Sequence, residues 1–239
     1  MTDAYEELRD LFEPGIARCR ELRVPYVVAI TGSVAVGKST TAERLRDAFA
    51  SVSSGARGEV VSSDGFLYPN RVLDAEGLTM RKGFPESYDR VALLAFLEAL
   101  KSGQTELRVP VYSHEEYDVV GEPRRLVPGD VVFLEGLHLV QLSEAIDFVI
   151  YIDADEQDIV RWFVERFIAL RSTHAFYRQF AHMSDADATA FAREVWDSIN
   201  GVNLHEYILP TREDADAVLE KGPDHAVRRL RVLRGRMPS

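Results

Sequence analysis

The run Gly32-Ser33-Val34-Ala35-Val36-Gly37-Lys38-Ser39 limits what this chain can fold into more than any other feature. It satisfies the phosphate-binding pattern G-x-x-x-x-G-K-S/T at every fixed position, and its neighbours complete the context. The apolar run from Val24 to Ile30 reads as a buried strand leading in. Thr40 to Ala50, rich in helix formers and free of breakers, reads as a helix leading out. Glycines let successive backbone N–H groups curl round an anion, and the helix N-terminus adds partial positive charge. Lys38 is placed to reach the outer phosphates, and Ser39 to offer its hydroxyl to Mg²⁺. Gly32, Ser33, Val34, Ala35, Val36, Gly37, Lys38, Ser39 and Thr40 are therefore expected to hold a nucleoside triphosphate. The rival, a glycine-containing turn that binds nothing, would not call for strand, loop, Lys-Ser and helix in this order.

A chain of 239 residues suits one sizeable α/β domain. Its 46% hydrophobic and 28% charged residues are ordinary for a soluble globular protein. The net charge of −11 argues against a general nucleic-acid or anionic-membrane binder, which would need a basic surface. Cys19 is the only cysteine, so no intrachain disulfide can form and a reducing cytoplasm is expected. The acidic start Met1-Thr2-Asp3-Ala4-Tyr5-Glu6-Glu7 lacks a signal-peptide core. No run approaches the apolar length of a bilayer span.

No repeat, linker or composition shift marks a second domain, so residues 1–239 are expected to form one. Residues 3–22 read as an N-terminal helical segment that Pro14 should kink or break. Gly58 to Ser63 reads as a second strand, followed by a loop-rich stretch from Phe66 to Asp89. Arg90 to Lys101 reads as a helix with Val91, Leu94, Leu97 and Leu100 on its apolar face. Residues 106–127 suggest a hairpin. Asp130 to Leu134 and Asp147 to Ile152 read as buried strands, Glu156 to Arg171 and Asp185 to Val202 as helices, and Ala215 to Leu219 as a last strand. Apolar strands alternating with helices imply an α/β fold, a mainly parallel sheet with helices on both faces. Ligands in such sheets sit at the C-terminal strand ends, where the phosphate loop, Asp64, Glu135 and Asp153 all fall.

Asp64 could accept a proton from a substrate hydroxyl, but Asp-Gly is also a favoured turn dipeptide, and the pattern leaves both open. Glu135 ends an apolar strand where an acid could hold Mg²⁺, and a charge there needs a partner. Tyr112 and His114 share a face of an extended segment, with Tyr117 just beyond. By themselves they fit a surface hairpin better than a pocket. Arg166, among Trp162, Phe163, Phe167 and Leu170, could stabilise a transferring phosphoryl group or pair with an acid such as Glu165. Asn203 reads as a helix C-cap. The pairs Asp153/Asp155, Asp185/Asp187 and Asp214/Asp216 read as N-caps rather than a cation site. Arg228, Arg229, Arg231, Arg234 and Arg236 read as a solvated basic surface. The six histidines show no zinc-ligand spacing.

The residues also carry a family resemblance. The segment from Pro25 through the phosphate loop to Ala42 closely resembles type I bacterial pantothenate kinase, a P-loop kinase of the group that includes uridine kinase and phosphoribulokinase. So do Ser63-Asp64-Gly65-Phe66-Leu67-Tyr68-Pro69-Asn70 and Lys82-Gly83-Phe84-Pro85-Glu86-Ser87-Tyr88-Asp89. Pro110 to His114 with Tyr117-Asp118, Leu134 to Leu137, and Asn203-Leu204 with Ile208 to Arg212 extend the match. The resemblance implies ATP and Mg²⁺ as cofactors, pantothenate as small-molecule substrate, and a homodimer. It implies Asp64 as the base for the pantothenate hydroxyl and Arg166, with Lys38, as the phosphoryl clamp. Tyr112, His114, Tyr117, Phe163 and Asn203 would line the acceptor pocket, Ser39 and Glu135 would hold the metal, and His225 would lie near the adenine. A short helical segment at 1–23 and a helical lid over about residues 155–203 complete the implied layout.

This chain departs from the family pattern in places. His138 stands where the family has Asn, and Phe163 where a Tyr helps hold the substrate. The stretches His138–Ala145 and Ser172–Tyr177 are shorter than usual. Feedback-sensitive members bind coenzyme A with a basic residue after the phosphate loop and a Phe along the pantetheine arm. Those positions are Glu43 and Leu170 here.

Overall fold

A strand buried along its whole length lies in the middle of the sheet. The computed structural model describes residues 4–51 and 57–234. Met1 to Asp3 and Arg236, named above, fall outside the described residues. Strand β1 (Tyr26–Gly32) is buried along its whole length. It pairs in parallel with β5 (Val131–Glu135) on one side and β6 (Phe148–Ala154) on the other. Outside these lie β2 (Gly58–Ser62), parallel to β5, and β7 (Ala217–Lys221), parallel to β6. The order is β2-β5-β1-β6-β7-β8, where β8 (Val227–Val232) returns antiparallel along β7. Five parallel strands thus put all their C-terminal ends on one edge.

Helices cover the sheet. Helix α1 (Ala4–Leu22) buries Leu8, Phe12 and Ile16, and Phe12 packs edge-on against Phe148 at 4.9 Å. Pro14 does not break it: the helix runs on through the proline. Helix α2 (Lys38–Ala50) starts directly after the phosphate loop and buries Thr41, Ala42, Leu45 and Phe49. Helix α3 (Asn70–Ala75) and three short 3₁₀ turns give shape to the stretch from Ser63 to Ser87. Helix α4 (Arg90–Lys101) has the expected limits, with Asp89 accepting from Ala92 N at its start. Its buried face differs from expectation. Leu93, Phe96, Leu97 and Leu100 point inward, while Val91 is 79% exposed, because the helix packs through the Phe96 side, whose ring meets Phe66 at 5.5 Å.

The separate antiparallel hairpin, β3 (Leu107–Ser113) with β4 (Asp118–Leu126), confirms the reading of residues 106–127. Helix α5 (Glu156–Leu170) follows β6, N-capped by Asp155. Helix α6 (Asp185–Val195) is capped by Ser184 rather than by the aspartates, and Asp185 pairs instead with Arg171. Asp216 is no cap either: it is buried and accepts from Val149 N at 2.8 Å, joining β7 to β6. The expected end of the last helix at Val202 is also wrong. The helical run continues through two π turns, Trp196–Asn200 and Leu204–Ile208. Finally, Arg228, Arg229 and Arg234 are exposed as expected of a solvated basic surface, but Arg228 to Arg231 lie on strand β8, and the half-buried Arg231 pairs with Glu213 and Glu220.

Candidate active site

The phosphate loop owes its shape to residues of alternating handedness. Gly32 (φ 139°), Ala35 (φ 63°) and Gly37 (φ 86°) take positive φ, turning successive N–H groups toward one concavity. Gly32 is required on space as well, since a Cβ there would lie 2.5 Å from Ile152 O. Lys38 folds back so that Nζ donates to Ser33 O at 2.9 Å. Burial pulls the Lys38 ammonium below its usual value, while Glu135 and Asp64 oppose that shift. Ser39 and Thr40 are exposed at the open mouth of the loop, at the start of α2.

Glu135 closes β5 and is buried, with the Ser62 and Ser39 hydroxyls near enough to favour its charged form. Desolvation first, and then Asp64, push its carboxyl above the usual range. A buried carboxylate close to the exposed Ser39 hydroxyl is a donor set that fits a hydrated Mg²⁺. Among the described residues no group of three or more His, Cys, Asp or Glu could hold a metal, so any cation here leans on phosphate and water.

Asp64 lies in the 3₁₀ turn Ser63–Phe66 after β2, half-buried, on the same sheet edge as the loop. The turn-dipeptide account of Asp-Gly is not what places Gly65. A Cβ there would lie 2.3 Å from Pro110 O, so the hairpin's close approach demands the glycine. Tyr88, absent from the residues singled out in the sequence, donates its hydroxyl to Asp64 Oδ1 at 3.3 Å. The block Lys82–Asp89 carries it, but nothing in the residue pattern says that Tyr88 reaches Asp64.

The hairpin brings the aromatic set together. Tyr112 packs edge-on against His114 at 5.2 Å and Tyr117 at 6.3 Å. Lys82, likewise not singled out, donates to Asn70 Oδ1 at 2.6 Å and to Tyr117 O, and lies 4.2 Å from the Tyr117 ring. Tyr112 and Tyr117 are thus half-buried round a cation, not on an idle surface. Phe176 stacks on Tyr117 at 4.1 Å, tying the 172–182 stretch to the hairpin. A cavity of about 500 Å³ opens between this wall and α2, lined by Tyr112, His114, Ser62, Gly65, Glu43 and Arg46.

The remaining residues come from the far side. Arg166 is exposed on α5 and close enough to depress both Lys38 and His114 electrostatically. Glu165, its alternative partner, sits with Arg161 instead. Phe163, one turn earlier, is half-buried and packs on Trp196 at 5.7 Å. Asn203 is not a C-cap: it lies inside the helical run, between the two π turns, and Nδ2 donates to Gly83 O at 2.8 Å. The same carbonyl accepts from His138 Nε2 at 2.8 Å. Asn203 Oδ1 is buried and unpaired, an acceptor left open. His225 caps the β7–β8 turn with φ 61°, stacked on Trp162 at 3.8 Å.

Comparison with known proteins follows the same outline. A model of the Phosphoribulokinase / Uridine kinase family matches residues 27–228. A protein named pantothenate kinase from Cutibacterium acnes is 47% identical over 227 residues, covering 87% of this chain and 69% of that protein. The one from Sorangium cellulosum is 48% identical, covering 89% and 74%, and the one from Halalkalibacterium halodurans 42%, covering 96% and 78%. The chain belongs to the phosphoribulokinase/uridine kinase family, on its pantothenate kinase branch. Solved structures agree on the fold alone. The YGR205w protein superposes with a TM-score of 0.65 at 14% identity, covering 97% of this chain and 98% of its own. YFH7 from Saccharomyces cerevisiae gives 0.65 at 16%, covering 92% and 99%. No helix among the described residues is long and apolar enough to cross a membrane.

Proposed function

We propose that this chain is an ATP-dependent pantothenate kinase, transferring a phosphoryl group to the primary hydroxyl of pantothenate. The observation that carries the reading is the convergence of Lys38, Asp64 and Glu135 on one sheet edge, with Tyr112 and His114 close enough to feel the Asp64 charge. The chain is also 42–48% identical to relatives of that name. Residues 32–40 bind the triphosphate, and Lys38 leaves Ser33 O to neutralise charge between the outer phosphates. Asp64 takes the proton of the acceptor hydroxyl, a step worth about 10²–10⁴-fold when the base is well placed. Arg166 answers charge on the phosphoryl oxygens as it transfers.

The acceptor is held by Tyr112, His114, Tyr117 and Phe163, and the open Asn203 Oδ1 accepts a hydrogen bond from one of its hydroxyls. His225 sits at the adenine end. Ser39 and Glu135 would hold Mg²⁺, which when bound neutralises phosphate charge. The same reading carries one kinase domain over residues 1–239, a helical lid near 155–203, a cytoplasmic location and a homodimer. It also carries weak inhibition by coenzyme A, because Glu43 puts a carboxylate where a basic residue would meet phosphate.

The test is ADP formation by the purified chain against pantothenate, pantetheine, uridine, cytidine and simple sugars. Turnover led by pantothenate supports the reading. Turnover of uridine or a sugar without pantothenate would replace it with a kinase for another primary alcohol.

A further inference from the structure

Lys221 ends the last parallel strand and is 8% exposed, yet no side-chain carboxylate among the described residues forms an ion pair with it. Its ammonium passes under the phosphate loop. Nζ donates to Val36 O at 2.9 Å and to Gly37 O at 3.4 Å. The Gly37 carbonyl is also held by Thr41 N and Thr41 Oγ1 as the first turn of α2, whereas Lys221 holds that of Val36.

The peptide plane makes this grip consequential. In a trans peptide the C=O and the following N–H point in opposite directions and cannot turn separately. Drawing Val36 O and Gly37 O toward Lys221 therefore aims the N–H groups of Gly37 and Lys38 the other way, into the concavity of the loop. The left-handed Gly37 fits the same device, since a Cβ on it would lie 2.8 Å from Lys221 Nζ. The charged groups acting on Lys221 are Arg44 and Lys38, both cations, so a buried ammonium sits here without a counterion. A bound triphosphate would supply one.

We infer that Lys221 is the positioning residue of the phosphate loop: from β7 it sets the Val36 and Gly37 peptides so that their N–H groups face the nucleotide. The inference rests on the loop as an ATP site and not on pantothenate as the acceptor. It is therefore tested on nucleotide binding without acceptor, by calorimetric titration of ATP and ADP.

Charge-assisted hydrogen bonds of this kind set the expected size: Lys221→Met weakens both nucleotides by about tenfold or more. Lys221→Arg, which keeps the charge and the donors, stays within about threefold of the unaltered protein. At saturating ATP the acceptor KM of Lys221→Met stays within about twofold, which general damage to the fold would not allow. Unchanged nucleotide affinity in Lys221→Met would overturn the inference, as would an acceptor KM that rises in step. If Lys221→Met does not fold, Lys221→Arg decides: binding within about threefold supports the inference, and a larger loss overturns it. Failure of the unaltered protein to bind ATP would overturn the site itself, and the inference with it.

Discussion

Tyr88 points its phenolic hydroxyl at Asp64 Oδ1 across 3.3 Å. Burial, and after it the nearby Asp64 charge, push the Tyr88 phenol well above its usual value, so it stays protonated and donates throughout the working pH range. The bond fixes which way the proposed base faces. Tyr88→Phe is expected to lower kcat by about two- to tenfold, the worth of one such bond, and to leave ATP affinity unchanged. Steady-state kinetics with parallel nucleotide titration check this. An unchanged kcat would show that Asp64 is oriented by something else.

Lys82 gives the site a pH dependence. Burial pulls its ammonium down to about 8, although Asp118, Asp64 and Asp74 oppose the shift. Between that value and the ordinary lysine value the unfolded chain holds a proton that the folded chain has released. The cost of burying Lys82 to stability therefore falls as pH rises through this window. Activity runs the other way. Above about 8 the charge-assisted hold on Asn70 Oδ1 and Tyr117 O weakens, and the pantothenate KM at saturating ATP is expected to rise. Lys82→Met should remove that alkaline limb. A limb that persists in the variant would assign it to another group.

The fold was legible wherever one stretch of sequence carries its own signal. The apolar runs of β1, β5 and β6 mark strands buried on both faces, and Arg90–Lys101 shows its helix by its apolar period. The phosphate loop was legible because its chemistry is local: nine adjacent residues make it. Relationships between distant residues were not. Lys221 meets Val36 across 185 positions, and Asn203 meets Gly83 across 120. No periodicity encodes such meetings. Strand β8 was hidden by its arginines, which an edge strand tolerates because one side of it faces water. Asn203 looked like a cap because π turns, which shift the register of a helix, leave no mark in the residue pattern.

Phe163 offers a gain-of-function test. Its half-buried ring packs on Trp196 and has no hydroxyl to offer the acceptor. Phe163→Tyr is expected to lower the pantothenate KM by about two- to tenfold, the value of one hydrogen bond, with little change in kcat. An unchanged or raised KM would place the ring outside the acceptor pocket.

On the proposed mechanism, the edge holding Lys38, Asp64 and Glu135 transfers a phosphoryl group to pantothenate with Asp64 as base. The most direct measurement is pantothenate-dependent ADP formation by Asp64→Asn, set beside its ATP affinity. The substitution removes the proton acceptor and keeps the shape. The kcat is expected to fall by about 10²-fold or more, with ATP affinity close to that of the unaltered protein. A near-normal kcat, or a loss of ATP affinity as large as the loss of kcat, would contradict the mechanism.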